Sequence, residues 1–283
     1  MAARFSLKDS TVAFLGLGMM GGSLAMALRG QCRLLTAYDP DPATLETARQ
    51  REIVDRADRD PVRVLRGADV VILAAPVDGI LALLDALPGW MPEGCVVLDI
   101  GSSKRLILDA MQHLPERFYP IGGHPLCGKE KHSIENAEAA IYEGAPFLLT
   151  PLERTPARAI SAAHQIIEAI GARAVLVEAA EHDRMLASTS HMPYLLSSAL
   201  ALATPAEWGS FAGPGFRSTS RLAGTPSSMM LSVLGTNRAN VLDALHGLRA
   251  ELGRLEAALA AEDDARLEAL LKEAQAKYGE LVP

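Results

Sequence analysis

Apolar runs alternate with amphipathic stretches through the first two-thirds of the chain. TVAFL (11–15) is followed by a helical stretch from about Met20 to Arg29, and RLLTAYD (33–39) by the polar helical stretch PATLETARQR (42–51). ADVVILAAP (68–76) and GCVVLDIG (94–101) are continuously apolar, the pattern of parallel strands covered on both faces. FYPIGG, FLLTP (147–151) and RAVLVEA (173–179) extend the series, with a helix expected over 156–170 between the last two. Repeated βα units predict a doubly wound sheet with right-handed crossovers. Beyond about residue 178 the strand signals stop. Helical periodicity runs from Glu181 to Leu202, a Gly/Ser/Thr-rich passage follows at 209–228, and a long helical pattern begins at Ser228. The expected fold is α/β: a Rossmann-type dinucleotide-binding domain over 1–178, then an all-α substrate and dimerisation domain over 179–283. Leu242, Leu245, Leu248, Leu252, Leu255 and Leu259 form a stripe along the last part, which fits a monomer core or a dimer interface equally well.

Composition narrows the partners. Of the 283 residues 49% are hydrophobic, ample for a packed core, and the formal net charge of −7 argues against nucleic acid or an anionic membrane surface. Cys32, Cys95 and Cys127 are far apart with no CxxC pair, so the sequence calls for no disulfide framework and no metal, and suits a reducing, cytoplasmic compartment. Arg4 and Lys8 ahead of VAFLGLGMMGGSLAMAL resemble a secretory signal, but four glycines inside that stretch suit a strand, turn and helix better. No other apolar run approaches the ~20 residues of a membrane span.

The turn Gly16-Leu17-Gly18-Met19-Met20-Gly21 lies between the first strand and the first helix. Gly16 permits the tight turn, Gly18 admits the backbone to a pyrophosphate, and Gly21 allows close helix–strand packing. The helix N-terminus adds N–H groups and a positive dipole end for the phosphates. Asp39 closes the second strand about 20 residues on, where a carboxylate accepts from both ribose hydroxyls and repels a 2′-phosphate, which favours NAD over NADP. Met19, Met20, Ala75 and Pro76 complete the expected cofactor contacts. The bland alternative is a plain βα turn with Asp39 capping the next helix through DPDP.

Four further segments carry unusual polar residues: DIGSSK (99–104), IGGHPLCGKE (121–130), HDRMLASTSHMPY (182–194) and GFRSTSR (215–221). With GLGMMGGSLA and FLLTP, in this order, they resemble the prephenate/arogenate dehydrogenases of tyrosine biosynthesis, over residues 11 to about 250. That resemblance implies an oxidative decarboxylation: hydride leaves C4 of a cyclohexadienol for NAD, the C4 hydroxyl loses its proton and the ring carboxylate departs as CO₂. It implies His124 as the catalytic base, a task suited to an imidazole with an unperturbed pKa of ~6.5. It further implies that Ser103 orients that histidine, that Arg221 binds a substrate carboxylate, that His191 and Tyr194 line the site, and that Glu130 stands near the entrance. It also implies a homodimer through the helical domain.

Each residue has a plainer reading: His124 a turn residue, Ser103 a cap for a helix starting at Lys104, Arg221 a solvated charge, His191 a core histidine, Glu130 a helix-start residue. The chain departs from the family pattern at Tyr194, where many members have histidine, at Ser218 in place of an acid, at Ser220 in place of threonine, and in TPSSMM, which lacks a tryptophan often found there. No acid in the matched motifs is an unambiguous ammonium partner, so prephenate is favoured over arogenate. A hydroxy-acid dehydrogenase with a catalytic lysine is disfavoured because no lysine occurs between 179 and 271. A non-catalytic nucleotide sensor is disfavoured because it would need only the first domain.

Overall fold

The computed structural model describes residues 5–128 and 133–282. Its centre is one eight-stranded sheet of order β3-β2-β1-β4-β5-β6-β7-β8. The strands are β1 (Thr11–Leu15), β2 (Leu34–Tyr38), β3 (Arg56–Asp58), β4 (Val70–Leu73), β5 (Val96–Asp99), β6 (Tyr119–Pro125), β7 (Pro146–Thr150) and β8 (Arg173–Leu176). The helices between them are α1 (Met19–Leu28), α2 (Pro42–Gln50), α3 (Pro61–Leu65), α4 (Val77–Trp90), α5 (Arg105–Gln112) and α6 (Ala157–Ala169). β3, α3 and α4 lie outside the elements read from the sequence pattern.

β1 is buried at all five positions, as its unbroken apolar run demands. Its alternate residues feed two cores: Val12 and Phe14 pack with Leu24 of α1 and Ile166 of α6 on one face, while Ala13 and Leu15 pack with Ile80 of α4 and Ile107 of α5 on the other. The strands run parallel except at one join. β6 pairs in parallel with β5 through Tyr119–Ile121, then antiparallel with β7 through Gly122–Pro125. The segment read as a turn around His124 is therefore strand, with His124 opposite Leu148. Gly123 makes this possible, because a Cβ there would stand 2.7 Å from the Asp99 carbonyl oxygen and 2.8 Å from the Phe147 ring.

After β8 the chain is helical, as expected. α7 (Ala179–Leu186) passes through a π-helical turn at Ala187–His191 into α8 (Met192–Ala203), followed by α9 (Pro214–Ser220) and α10 (Ser227–Thr236). The single long pattern after Ser228 is in fact three helices, α10, α11 (Arg238–Ala260) and α12 (Asp264–Leu281). The described chain forms two compact units, residues 1–237 and 238–283. In the second, Arg254 of α11 bonds Glu273 of α12 at 3.0 Å and Asp263 caps α12 through the Arg266 N–H. Leu242, Leu252 and Leu259 of the stripe are 47%, 50% and 63% exposed, so the stripe does not form a core of this chain. No described helix is long and apolar enough to cross a membrane.

Candidate active site

The glycine turn is built as a phosphate site requires. Gly16 has φ +104°, and a Cβ there would lie 2.4 Å from the Ala74 carbonyl oxygen. A Cβ at Gly21 would meet the Gly16 carbonyl oxygen at 2.5 Å and the Ala74 Cβ at 2.9 Å, so α1 lies hard against the strand ends. Gly18 is the N-cap of α1 and no side chain caps that end. Gly18, Met19 and Met20 line a cleft of about 380 Å³ together with Ala75, Pro76 and Ser102. Asp39 accepts the Leu17 N–H at 2.9 Å and the Asp41 N–H at 3.0 Å. The cap of α2 is Asp41, which accepts from Ala43 and Thr44, so the DPDP alternative assigns the cap to the wrong aspartate. An uncapped helix start, a backbone with no room for side chains and a carboxylate at the end of β2 fit a dinucleotide.

A second cleft, about 650 Å³, is lined by His124, Ser102, Thr189, Ser190, Tyr194 and Arg221 among others. Ser102 and Met229 line both clefts, so the two adjoin. His124, Tyr194 and Arg221 thus come together from β6, α8 and the end of α9, elements nearly 100 residues apart (124 to 221).

Two expected site residues lie elsewhere. Ser103 is fully buried and its hydroxyl is hydrogen-bonded to Thr236 at 2.8 Å, so the serine at the cleft wall is its neighbour Ser102. Nor does Ser103 cap α5. His191 is 1% exposed in the π-helical turn, with its Nδ1 3.2 Å from the Asn237 amide nitrogen, and Thr189 and Ser190 take the wall positions instead. Burial pushes the His191 imidazole down to about 4, against a smaller upward pull from Asp183. Glu130 lies outside the described residues.

Behind His124 is a group of buried residues that the sequence reading left unassigned. His124 Nδ1 is 2.9 Å from His182 Nε2, and His182 Nδ1 is 2.8 Å from Asp183 Oδ1. Asp183 also accepts the Lys104 N–H at 2.7 Å and the Arg105 N–H at 3.0 Å, at the start of α5. Asn237 donates to the Asp183 carbonyl oxygen at 2.6 Å. The fully buried Lys104 ammonium is paired with Asp99, whose carboxylate also accepts the Gly101 and Gly123 N–H groups and so ties β5 to the residue before His124. Burial holds His124 well below the ordinary histidine value, assisted by the nearby His182, Lys104 and His191. Burial alone would raise the Asp183 carboxyl. The hydrogen bonds from His182 and the two backbone N–H groups outweigh it, and the group is held below the usual carboxylate range. The adjacent letters H-D at 182–183 were the visible signal for this pair, but the sequence does not say that they sit behind His124.

Comparison with known proteins gives concordant matches. Residues 24–176 match the family model described as prephenate dehydrogenase, nucleotide-binding domain, and residues 178–273 the model described as prephenate dehydrogenase, dimerization domain. The chain is 28% identical over 268 residues to a prephenate dehydrogenase of Bacillus subtilis, covering 91% of this chain and 72% of that protein. It is similar, with TM-score 0.90 and 28% identity, to the crystal structure of A. aeolicus prephenate dehydrogenase in complex with hydroxyphenyl propionate and NAD+, covering 98% of this chain and all of that one. A Synechocystis arogenate dehydrogenase structure matches with TM-score 0.81 and 29% identity, covering 96% of this chain and 100% of that one.

Proposed function

The chain belongs to the prephenate dehydrogenase family, and from this we propose that it catalyses the oxidative decarboxylation of prephenate to 4-hydroxyphenylpyruvate with NAD. The observation that carries the reading is the contact of two clefts at Ser102 and Met229, one fitted to a dinucleotide and the other walled by a neutral histidine. NAD, when bound, supplies the acceptor for the hydride that leaves C4.

The chain's own residues have little bond chemistry to do, because aromatisation drives the step. They must place the ring against the nicotinamide and hold one proton. The C4 hydroxyl gives up its proton as hydride leaves, and the oxygen recovers one when the C–CO₂ bond breaks and its electron pair aromatises the ring. Nothing is gained or lost in protons overall. His124 is the base: it is uncharged at neutral pH, and a positioned base of this kind contributes ~10²–10⁴-fold. Ser102, at the junction of the clefts, is suited to hydrogen-bond the same hydroxyl. The Arg221 guanidinium suits a substrate carboxylate, and Tyr194 supplies a neutral hydroxyl to the same wall. Gly16, Gly18, Met19, Met20, Gly21, Asp39, Ala75 and Pro76 serve the cofactor.

Among the described lining residues the charged group is Arg221, which supports the dicarboxylate keto acid prephenate over arogenate, whose ammonium calls for an anion. Arogenate remains the second reading, supported by the likeness to the Synechocystis enzyme. The exposed leucines and the family description of residues 178–273 support a homodimer through the helical domain. The two family models, ending at 176 and starting at 178, support a functional division close to 178/179. The negative net charge supports a small molecule rather than nucleic acid as partner, and three free cysteines support a cytoplasmic setting.

NADH formation with prephenate and arogenate, each with NAD and NADP, is the test. Turnover is expected with NAD and prephenate, and no reduction with either substrate would overturn the proposal.

A further inference from the structure

Substrate needs one ring nitrogen of His124; the structure commits the other to His182. Behind that contact the hydrogen bonds have a direction. Asp183 takes three donors, two of them backbone N–H groups at the start of the eight-residue helix α5, where the helix dipole favours an anion. It is therefore a carboxylate, and His182 Nδ1–H must donate to it. His182 Nε2 is then an acceptor, so His124 donates through Nδ1–H and keeps its lone pair on Nε2. Both partners are out of solvent, His182 fully buried and Asp183 1% exposed, so bulk solvent does not reach the bond between them. A histidine packed only for structural reasons would not need an anion buried behind it, since desolvating a carboxylate is costly unless a cation or donor uses it.

We propose that His182 and Asp183 are positioning residues that fix the His124 tautomer and store the substrate's proton during the reaction. This rests on His124 being the base. As the hydroxyl proton reaches His124 Nε2, the Nδ1 proton of His124 passes to His182 Nε2, and the positive charge comes to rest on His182 against the Asp183 carboxylate. When CO₂ leaves and the ring electrons reach the oxygen, the two protons step back along the same line and the site returns to its starting state. The store matches the reaction's need for a proton that is lent and returned.

The test combines His182→Phe, His182→Gln and Asp183→Asn with ¹⁵N-histidine NMR of the full chain, with the NAD-induced rise in melting temperature as the check of folding. In the wild-type chain His124 is expected to carry its proton on Nδ1, and in His182→Phe to lose that preference. His182→Phe and Asp183→Asn should lower kcat about 100-fold while moving KM for either substrate less than about threefold. Glutamine can accept the His124 N–H but cannot pass a proton on. His182→Gln should therefore restore the Nδ1–H tautomer without restoring the rate, and the curved proton inventory of the wild type on kcat/KM should become linear. The proposal is overturned by a wild-type His124 protonated on Nε2, by a His182→Phe variant with kcat within twofold of wild type, or by full activity with a curved inventory in His182→Gln. Lack of turnover by the wild type with both substrates would instead sink the functional reading, and the NMR result still decides the proton order.

Discussion

His124 has its chemistry set by what surrounds it more than by its own side chain. Burial keeps it neutral, β6 holds its backbone, and His182 takes one nitrogen. His124→Asn should lower turnover at least 100-fold and leave the NAD dissociation constant within about twofold, read by NADH-formation kinetics and calorimetry. A loss of NAD binding instead would show the role to be misassigned. Arg221→Ala should raise KM for the substrate by ~10–100-fold, the worth of a charge-assisted hydrogen bond of about 1.5–3 kcal/mol, while KM for NAD stays put. Equal effects on both would remove the carboxylate assignment. His191 makes a separate prediction about stability. Its folded-state value of about 4 lies below the ordinary 6.5, so as pH falls the unfolded chain takes up the proton first and stability declines across that window. The shift is worth about 3 kcal/mol. Chemical denaturation at pH 7 and pH 4 should show a smaller loss in His191→Gln than in the wild type, and an equal loss would place the titrating group elsewhere.

At the scale of elements, the β1–α1 turn has no room for a side chain at Gly16 or Gly21. Gly16→Ala forces an L side chain into a left-handed conformation and against the Ala74 carbonyl oxygen at once. The expected outcome is a folded chain whose melting temperature no longer rises with NAD, whereas saturating NAD at 100 times its dissociation constant stabilises the wild type by about 2.7 kcal/mol. An unaltered response would mean that the turn does not hold the cofactor. The β1–α1 turn was readable because its signal is local: glycines at fixed offsets between a strand and a helix. β6 was readable only as far as Gly123, because H-P after G-G reads as punctuation. Its strand character comes from two neighbours, β5 and β7, that close around residues with no side chain. The same limit applies to Ser102 and Ser103. Adjacent serines are equivalent in sequence, and only the backbone path at the end of β5 turns one to the cleft and the other to Thr236.

Across the whole molecule, the candidate site residues gather from β6, the π-helical turn, α8 and the end of α9 around one pair of adjoining clefts. A family-level pattern can name such residues singly; their distances are a property of packing. The leucine stripe of α11 makes the corresponding point about assembly. Leu242, Leu252 and Leu259 remain exposed, and about 25 cal/mol per Å² of apolar surface is available to whatever covers them. Replacing all three with glutamate should convert a dimer to a monomer in sedimentation velocity. An unchanged sedimentation coefficient would place the interface on another face.

The amino-acid sequence by itself determined the βα alternation, the glycine turn, Asp39 at the end of the second strand and the helical second part, because each is written in neighbours within one or two turns of chain. It also supplied the histidine, the arginine and the H-D pair as letters. The tertiary structure decided that His182 and Asp183 stand behind His124, that Ser102 rather than Ser103 reaches the cleft, that His191 is sealed away from it, and that Leu242, Leu252 and Leu259 of the leucine stripe are left exposed. The reason is physical. Periodicity fixes which face of an element is apolar, but which polar group meets which depends on backbone approach between segments far apart in the chain, and no local pattern encodes that distance.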